Sequence, residues 1–535
     1  MVSMDTESSY PSSPVSSQIA ISMHFSICLA YLSIGVLQAL PALAENITWP
    51  WQTYRSSSAE PPLLSITKQG PTSQGYLFFD QNGQYAHNYS LFIMSDDNEL
   101  VWQSGIGDYG GFRMQTFEGK PVLTFFNGIS LPEPYGWGHG IIQILDDSYT
   151  SIYNVSLTAK EEGFVTISGL DPKQLTSYLD LHESKITAQN TILVTAYNVT
   201  RYDLSSVGGP PDGWVTDCLF YELDVKTSEI LFKWSALDHV DQIPISNVLQ
   251  FYPIEDFGKN QSLPYGYFHI NSVDKFEDGS YLVSSRYYCS LFKISKNGTV
   301  EWTLQGRTGG DFKLEGRLSF CYQHDARIRH DLGGMVQISI FDNDNSEVVS
   351  GVNQTKGIFM TLDTQGMKAT LDQEYTDPRD PVFAHSQGNV QLLGNRNVIM
   401  GYGSTPKIRE YSQDGSVLMD VQFGPGDGLI FSYRAFRQPW IGRPQSPPSA
   451  FACKDEVNNQ TAVYMSWLGA TEHNSWKIFA GSSNSSLILA AEVKRAGFET
   501  VANIPGHPLL IRVEAQGPGI TTTAVSPVII SQIHC

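Results

Sequence analysis

Four histidines stand at comparable places along the chain, and together they could carry out chemistry. His182, His269, His324 and His385 are each followed, after about ten residues, by a turn and then by a strand-like run. Imidazole side chains act near neutral pH as nucleophiles, proton carriers or metal ligands. The alternative for each histidine is a structural hydrogen bond to a neighbouring element. The recurrence therefore indicates a functional site only if the fold brings these residues together.

An arginine accompanies the second histidine. His269 lies nine residues before the Asp278-Gly279 turn and Arg286 lies seven residues after it, so the two side chains face each other across a hairpin. A guanidinium repels a divalent cation but holds an oxyanion through two parallel hydrogen bonds. It also lowers the pKa of a nearby imidazole, which keeps that imidazole neutral and nucleophilic. We therefore interpret the cluster as an anion site and predict no metal there.

The elements that must position these residues are β-strands. Short β-rich runs bounded by Gly, Asn, Asp and Pro recur beyond residue 44, and a 3.6-residue periodicity is almost absent. A second recurring hairpin ends in a tryptophan, at Trp102, Trp234 and Trp302. A repeat of two hairpins predicts the blades of a β-propeller, in which equivalent positions of successive blades converge at one end of a central channel.

The chain is predicted to have three parts. Residues 1–44 form a leader, residues 45–445 form the propeller, and residues 446–535 form a small β-sandwich after a proline-rich linker. With 34 basic against 54 acidic side chains, the formal net charge is −20. A nucleic-acid-binding protein needs a surplus of basic residues, so this class of protein is excluded.

The leader indicates export from the cell. No Asp, Glu, Lys or Arg occurs from Ile19 to Ala44, and the stretch ends in small residues. We predict a signal peptide that is cleaved near Ala44, with residues 1–22 as an extension ahead of Met23. Retention of the same stretch as a membrane anchor is the alternative. Asn-x-Ser/Thr sequons favour a secreted glycoprotein; they occur at Asn46, Asn88, Asn154, Asn198, Asn260, Asn297, Asn353, Asn459 and Asn484.

Cysteine usage is compatible with export. Five cysteines remain once the leader is removed, so at least one of them stays unpaired or pairs elsewhere. Cys453 and Cys535 bracket the last segment of the chain. We predict that these two form a clasp.

Five phrases, in order along the chain, carry a resemblance to a known family. They are Asp180–Glu183, Trp234–Val240, His269–Asp274, Gln323–Arg327 and Ile338–Asn343. Over roughly residues 50 to 510, the chain resembles the arylsulfotransferase family, in its fungal-type secreted branch. The resemblance implies a six-bladed propeller that moves a sulfuryl group from a phenolic sulfate ester to another phenol without a cofactor. Its partners are then small aryl sulfates and phenols.

The resemblance also implies a role for each residue of the site. His324 is the nucleophile and forms a transient sulfohistidine, while Arg286 holds negative charge. His182 and His269 bind the sulfuryl oxygens or carry protons. The predicted substrate-binding residues are Asn271, Asp325, Arg327 and His385. Of these, His385 is predicted from the repeat and not from the family, as a residue of the rim or a structural one.

Three further interpretations accompany the resemblance. Cys289 and Cys321 lie outside the family pattern, one near each of two motifs, and could form a disulfide between adjacent blades. A non-catalytic propeller that binds an anionic aromatic or glycan ligand is an alternative to an enzyme. Hydrolysis of aryl sulfates is the alternative to transfer.

Overall fold

The computed structural model describes residues 48–131, 135–158, 163–171, 175–345, 354–426, 428–520 and 524–535. The leader, with its predicted cleavage near Ala44, lies outside these ranges, as do the sequons at Asn46 and Asn353. The compact unit described below is Trp49–Cys535. Within the described ranges, no helix has the length and apolar character to cross a membrane.

Strands make up almost all of the regular structure in the described residues. In chain order, the first seventeen are β1 Ser65–Lys68, β2 Tyr76–Gln81, β3 Ser90–Met94, β4 Leu100–Gln103, β5 Tyr109–Phe117, β6 Lys120–Leu131, β7 Trp137–Leu145, β8 Ser151–Val155, β9 Leu179–Ile186, β10 Thr191–Tyr202, β11 Gly213–Asp224, β12 Ile230–Ser235, β13 Ile270–Lys275, β14 Tyr281–Ser285, β15 Ser290–Ile294, β16 Val300–Gln305 and β17 Gly309–Gly310.

The remaining strands complete the ring and form the C-terminal sheets. They are β18 Lys313–Glu315, β19 His324–Asp331, β20 Met335–Asp342, β21 Lys356–Asp363, β22 Lys368–Tyr375, β23 Asn389–Leu392, β24 Val398–Gly401, β25 Lys407–Tyr411, β26 Val417–Gln422, β27 Phe436–Gln438, β28 Ser449–Asp455, β29 Gln460–Ser466, β30 Ser475–Gly481, β31 Ile488–Lys494, β32 Thr500–Pro505, β33 Leu510–Gln516 and β34 Ile529–Ile530. Short 3₁₀ turns occur at Ser205–Val207, Leu237–His239, Ile245–Val248 and Asn484–Ser486.

The strands up to β27 form five sheets that we call A to E, in which neighbouring strands pair antiparallel, except that β18 pairs parallel with β22. Sheet A has the order β27-β2-β3-β4, and sheet B runs from β5 to β12. Sheet C holds β13–β17, sheet D holds β19–β22 with β18, and sheet E holds β23–β26 with β1. Sheet B is continuous because Gly140 of β7 pairs with Leu179 of β9.

The inner strands of these sheets contact one another in a closed series. β2 lies against β5, β5 against β9, β9 against β13, β13 against β19, β19 against β23, and β24 against β27. This ring of antiparallel meanders is a β-propeller. The predicted all-β propeller is therefore confirmed, while the number of six blades stays a prediction because sheet B is not divided.

Both ends of the propeller segment help to close the ring. β1 pairs with β26 from Ser65 opposite Gln422 onward, so the first strand forms the outer edge of the last sheet. β27 pairs with β2, with Gln438 opposite Tyr76, so a late strand forms the inner edge of the first sheet. Each end of the segment thus completes a sheet made by the other end.

The burial pattern of a strand reflects how many of its faces are covered. In β3, all five residues of Ser90–Met94 are buried, because a propeller sheet packs against a neighbour on both faces. In β30 of the C-terminal part, Trp476, Ile478 and Ala480 are buried and the residues between them are partly exposed. This period of two is typical of a sheet with one covered face.

Two sheets face each other after the proline-rich segment, and they form the predicted small β-sandwich. One has the order β28-β29-β32 and the other the order β31-β30-β33-β34. Cys453 of β28 forms a disulfide with Cys535, as predicted. The first sandwich strand begins at Ser449, and the boundary after residue 445 stays a prediction.

A second disulfide joins sheets C and D. Cys289 lies in the turn between β14 and β15, and Cys321 lies just before β19. This bond confirms the predicted link between adjacent sheets. Cys218 is the cysteine that remains free within the described ranges, and it is buried.

We expect the double substitution Cys289→Ser, Cys321→Ser to lower the free energy of unfolding by about 3 kcal/mol, because the bond constrains the unfolded chain. Urea denaturation followed by tryptophan fluorescence measures this change. Reduction supplies the matched comparison: dithiothreitol should shift the midpoint of the wild-type protein more than that of the double variant. An equal shift in both proteins would contradict the prediction.

Candidate active site

Three imidazoles and one guanidinium meet in a single cavity at the centre of the ring. The cavity has a volume of about 700 Å³ and is lined by His182, His269, His324 and Arg286, with His385 beside them. The four residues first singled out for catalysis therefore come together, although 142 positions separate the first histidine from the third. A cavity of this size accommodates a small organic ligand.

The same backbone irregularity places each of these three histidines. Register shifts interrupt the pairing of β9 between Leu179 and Ser184, of β13 at Asn271, and of β19 between His324 and Arg327. A bulge re-aims the side chains of an inner strand and is common next to active sites. His269, immediately before β13, also has a positive φ of 52°. The repeated bulge explains why the histidines turn toward the channel.

His182 is oriented by a carboxylate. Its Nδ1 lies 2.6 Å from Oδ2 of Asp180, which also accepts hydrogen bonds from the His182 backbone N–H and from Thr195 Oγ1. Burial alone raises the pKa of Asp180, but His182 and the backbone donors outweigh it and lower that pKa. Nδ1 of His182 therefore donates to an ionised carboxylate, as in acid–base triads.

His324 is oriented by a neutral amide. Its Nδ1 lies 2.7 Å from Oδ1 of Asn343, and its Nε2 accepts a hydrogen bond from the backbone N–H of Gln387 at 3.2 Å. Burial, followed by the positive charge of Arg286, holds the pKa of His324 well below its usual range. The ring is therefore neutral, with the proton on Nδ1 and the lone pair on Nε2.

His269 lies beside His182 and Tyr287. Its ring centroid lies 4.9 Å from that of His182 and 5.0 Å from that of Tyr287. Burial, followed by the neighbouring His182 and the positive charge of Arg286, lowers its pKa well below the usual range. A neutral imidazole at this place can donate one hydrogen bond to an oxyanion or accept one from a phenol.

Arg286 is the cation of the cavity. Its backbone N–H donates to the carbonyl of His269 at 3.0 Å, so the two residues are neighbours across the hairpin as the spacing predicted. Its Nη2 donates to the backbone carbonyl of His385 at 3.0 Å, and its Nη1 lies 3.3 Å from the Tyr287 hydroxyl. These contacts hold the guanidinium at the cavity wall, where it can receive an anion.

The other predicted substrate-binding residues lie beneath the cavity and do not line it. Asn271 donates from Nδ2 to the carbonyl of Gln323 at 2.6 Å. Arg327 contacts Asp325 at 2.8 Å and Glu183 at 2.7 Å. Their positions give no support to substrate binding, whereas His385 does reach the cavity.

A buried ionic network supports the floor of the site. Glu183, next to His182, pairs with Arg113, Arg327 and Arg434. Burial alone raises the pKa of Glu183, but these three guanidiniums outweigh it and hold the pKa well below its ordinary value. Since Arg327 belongs to β19 and Glu183 to β9, the network joins strands that carry two of the histidines.

The rest of the cavity wall includes glycines and the polar residues Asn82, Asp108, Ser130, Ser386, Gln387 and Ser404. It also includes aromatic and aliphatic side chains that the sequence did not single out. They are Tyr89, Tyr109, Leu131, Tyr135, Leu181, Tyr287, Phe431 and Tyr433. Tyr287 is the one of these that the sequence could have indicated, because it directly follows Arg286. Such a wall suits a planar aromatic ligand, because aromatic rings pack edge-to-face or offset against one another.

A family model described as Arylsulfotransferase (ASST) matches residues 113–424, which is more than half of the chain. The chain belongs to the arylsulfotransferase family. The match spans all of the histidines of the cavity as well as Arg286. No curated protein matches this arylsulfotransferase chain.

Solved structures resemble the chain only distantly. A protein of unknown function from Bacteroides caccae has 12% identity, covers 68% of this chain and 98% of its own, and gives a TM-score of 0.37. An α-L-arabinanase from Penicillium chrysogenum, complexed with arabinobiose, has 10% identity, covers 74% and 95%, and gives a TM-score of 0.31. At these TM-scores, neither likeness bears on the function of the chain.

Proposed function

We propose that this arylsulfotransferase moves a sulfuryl group from a phenolic sulfate ester to a phenolic acceptor through a sulfohistidine on His324. The observation that carries the proposal is the convergence of His182, His269, His324 and Arg286 on one cavity with an aromatic wall. Sulfuryl transfer spreads negative charge over the non-bridging oxygens, so positioning and cationic donors supply most of the catalysis, as in phosphoryl transfer.

The first half-reaction forms the covalent intermediate. The hydrogen bond from the Gln387 N–H to Nε2 of His324 breaks as the donor binds. The freed lone pair attacks the sulfur of the donor, and the bond between sulfur and the phenolic oxygen breaks. The electron pair of that bond leaves with the phenolic oxygen, which takes a proton from Nε2 of His182. Arg286 and His269 donate hydrogen bonds to the sulfuryl oxygens as their charge increases.

The second half-reaction regenerates the enzyme. The oxygen of an acceptor phenol attacks the sulfur, the bond between sulfur and Nε2 of His324 breaks, and its electron pair returns to the imidazole. The acceptor proton passes to Nε2 of His182, which restores the starting state. The aromatic wall favours a phenol over water at this step, since it binds the ring and excludes solvent.

We place the protein outside the cell, in the secreted branch of the family, with aryl sulfates and phenols as its partners. Two disulfides between described cysteines support an oxidising compartment. Four of the described sequon asparagines are exposed in turns or loops, at Asn260, Asn297, Asn459 and Asn484. Intact mass of the exported protein before and after enzymatic deglycosylation tests this placement.

The proposed intermediate can be trapped directly. Brief exposure of the protein to 4-nitrophenyl sulfate without an acceptor should add one sulfuryl group, about 80 Da, to a peptide that contains His324. The same sample should release a burst of nitrophenol, and added phenol should then yield phenyl sulfate. Nitrophenol release with free sulfate and no phenyl sulfate would establish hydrolysis. Absence of both adduct and turnover would overturn the proposal.

We expect Asp180→Asn to slow transfer most for donors with poor leaving groups. The substitution removes the carboxylate that stabilises the imidazolium of His182, and loss of a general acid costs about 10²- to 10⁴-fold when the leaving group needs protonation. The rate with phenyl sulfate should therefore fall far more than the rate with 4-nitrophenyl sulfate. Asp238→Asn, at an exposed aspartate, is the matched control, and an equal fall with both donors would count against the assignment.

A further inference from the structure

One asparagine at the cavity has no role in the reaction as described so far. Asn343 follows β20 directly and is fully buried. Its Oδ1 contacts Nδ1 of His324 at 2.7 Å, and its Nδ2 donates to the carbonyl oxygens of Ala384 at 2.9 Å and Gln387 at 3.2 Å. The side chain therefore bridges the histidine to the segment that carries His385.

The two carbonyl contacts fix the orientation of the amide. If the oxygen and nitrogen of Asn343 exchanged places, the oxygen would face two carbonyl acceptors and both hydrogen bonds would be lost. The oxygen must therefore face His324, where it can only accept. Nδ1 of His324 is thus the donor, and Nε2 is left as an acceptor, which agrees with the hydrogen bond that it receives from the Gln387 N–H.

The corresponding histidine in sheet B has a different partner. His182 is backed by the carboxylate of Asp180 at 2.6 Å, whereas His324 is backed by an amide that carries no charge. A carboxylate stabilises the protonated ring, and an amide fixes the tautomer without that stabilisation. Two histidines of the same cavity therefore have partners of different charge at Nδ1.

We propose that Asn343 is a positioning residue that holds His324 in the neutral Nδ1–H tautomer. We further propose that the amide of Asn343 suits His324 to act as the nucleophile, whereas the carboxylate of Asp180 suits His182 to carry protons. The catalytic consequence of this proposal rests on the proposed function. The tautomer itself is a property of the free protein. Asn343 acts through His324 and does not touch the substrate.

Other charged and titratable groups around His324 come from several elements, and they are unchanged by substitution at position 343. They are Arg286 and His269 of sheet C, His182 of sheet B, Arg434 before β27, and His385 on the segment before β23. A difference between the wild-type protein and a variant at position 343 therefore reports the loss or change of the Asn343 side chain.

The first test needs no turnover. Protein labelled with ¹⁵N-histidine reports the protonation of each ring nitrogen by NMR, and His324→Ala assigns the signal. We expect Nδ1 of His324 to be protonated and Nε2 to be unprotonated in the wild-type protein, and a mixture of tautomers in Asn343→Leu. A wild-type ring protonated on Nε2, or an unchanged tautomer in Asn343→Leu, would overturn the proposal.

The second test uses the pH dependence of the nitrophenol burst. Asn343→Asp places a carboxylate beside Nδ1, which raises the pKa of His324, so the burst rate should fall as the pH is lowered through that raised pKa. The wild-type rate should show no such fall in the same pH range. Asn343→Leu should lower the burst rate by about 10- to 100-fold, as loss of an orienting partner does at other sites.

Asn389→Asp is the matched control, because Asn389 is equally buried and its side-chain amide bonds the backbone carbonyl and N–H of Ala435. A loss of folding shared by both aspartate variants is thereby separated from a change at His324. A pH profile of Asn343→Asp that coincides with the wild-type profile would overturn the proposal. Failure of the wild-type protein to release nitrophenol would instead refute the proposed function, and the NMR result would still decide the tautomer.

Discussion

Replacement of His324 by alanine should lower the turnover of an aryl sulfate by about 10⁴-fold or more, because removal of the nucleophile in covalent catalysis leaves only binding and electrostatic stabilisation. The adduct on the enzyme should disappear as well, and the nitrophenol burst with it. Stopped-flow absorbance and intact mass measure these two effects.

His330→Ala provides the matched control for this variant. His330 lies on the same strand, β19, but is exposed to solvent, so its loss should leave burst and adduct unchanged. An adduct that survives in His324→Ala would move the nucleophile to His182 or His269. Repetition of the mass measurement with alanine at each of these positions would then locate it.

Replacement of Arg286 by methionine should lower the rate of the first half-reaction by about 10²- to 10³-fold, as loss of one preorganised oxyanion donor does. Arg286→Lys keeps the charge but not the planar pair of donors, so it should recover only part of the rate. Single-turnover release of nitrophenol measures both variants.

The effect of Arg286 on its neighbours adds a second readout. Its positive charge contributes to the lowered pKa of both His269 and His324, so Arg286→Met should raise those two pKa values, and the burst rate should then fall at a higher pH than in the wild type. Arg317→Met, at an exposed arginine, should change neither rate nor profile. A profile of Arg286→Met with the wild-type shape would contradict this assignment.

The sequence was sufficient to predict that three histidines and Arg286 share the cavity. His269 and Arg286 are level across a hairpin because the strands β13 and β14 pair antiparallel around a short turn, and residue spacing alone defines that geometry. His182 and His324 follow from the repeat, since equivalent strands of a propeller converge on its axis. Hairpin spacing and the position within the repeat were therefore enough to predict where these residues lie.

Hairpin spacing and repeat position did not predict the side chains whose positions depend on β-bulges or on contacts between distant parts of the chain. Asp325 and Arg327 adjoin His324 in the sequence, but the irregular pairing at the start of β19 turns them beneath the cavity. Asn343 belongs to a recognised phrase, yet its contact with His324 requires the packing of a segment more than forty residues away. The three-residue strand β27 is too short to produce a pattern, so its place beside β2 could not be foreseen.

The pairing of the late strand β27 with the early strand β2, which closes the ring, has a consequence for biosynthesis. Until residues 436–438 have left the ribosome, sheet A lacks its innermost strand and β2 presents an open edge. Tyr433, which completes the cavity wall, arrives in the same late stretch. The cavity therefore cannot close before this stretch is made, and we expect a nascent chain cut short before it to be inactive and prone to aggregate through the open edge of β2.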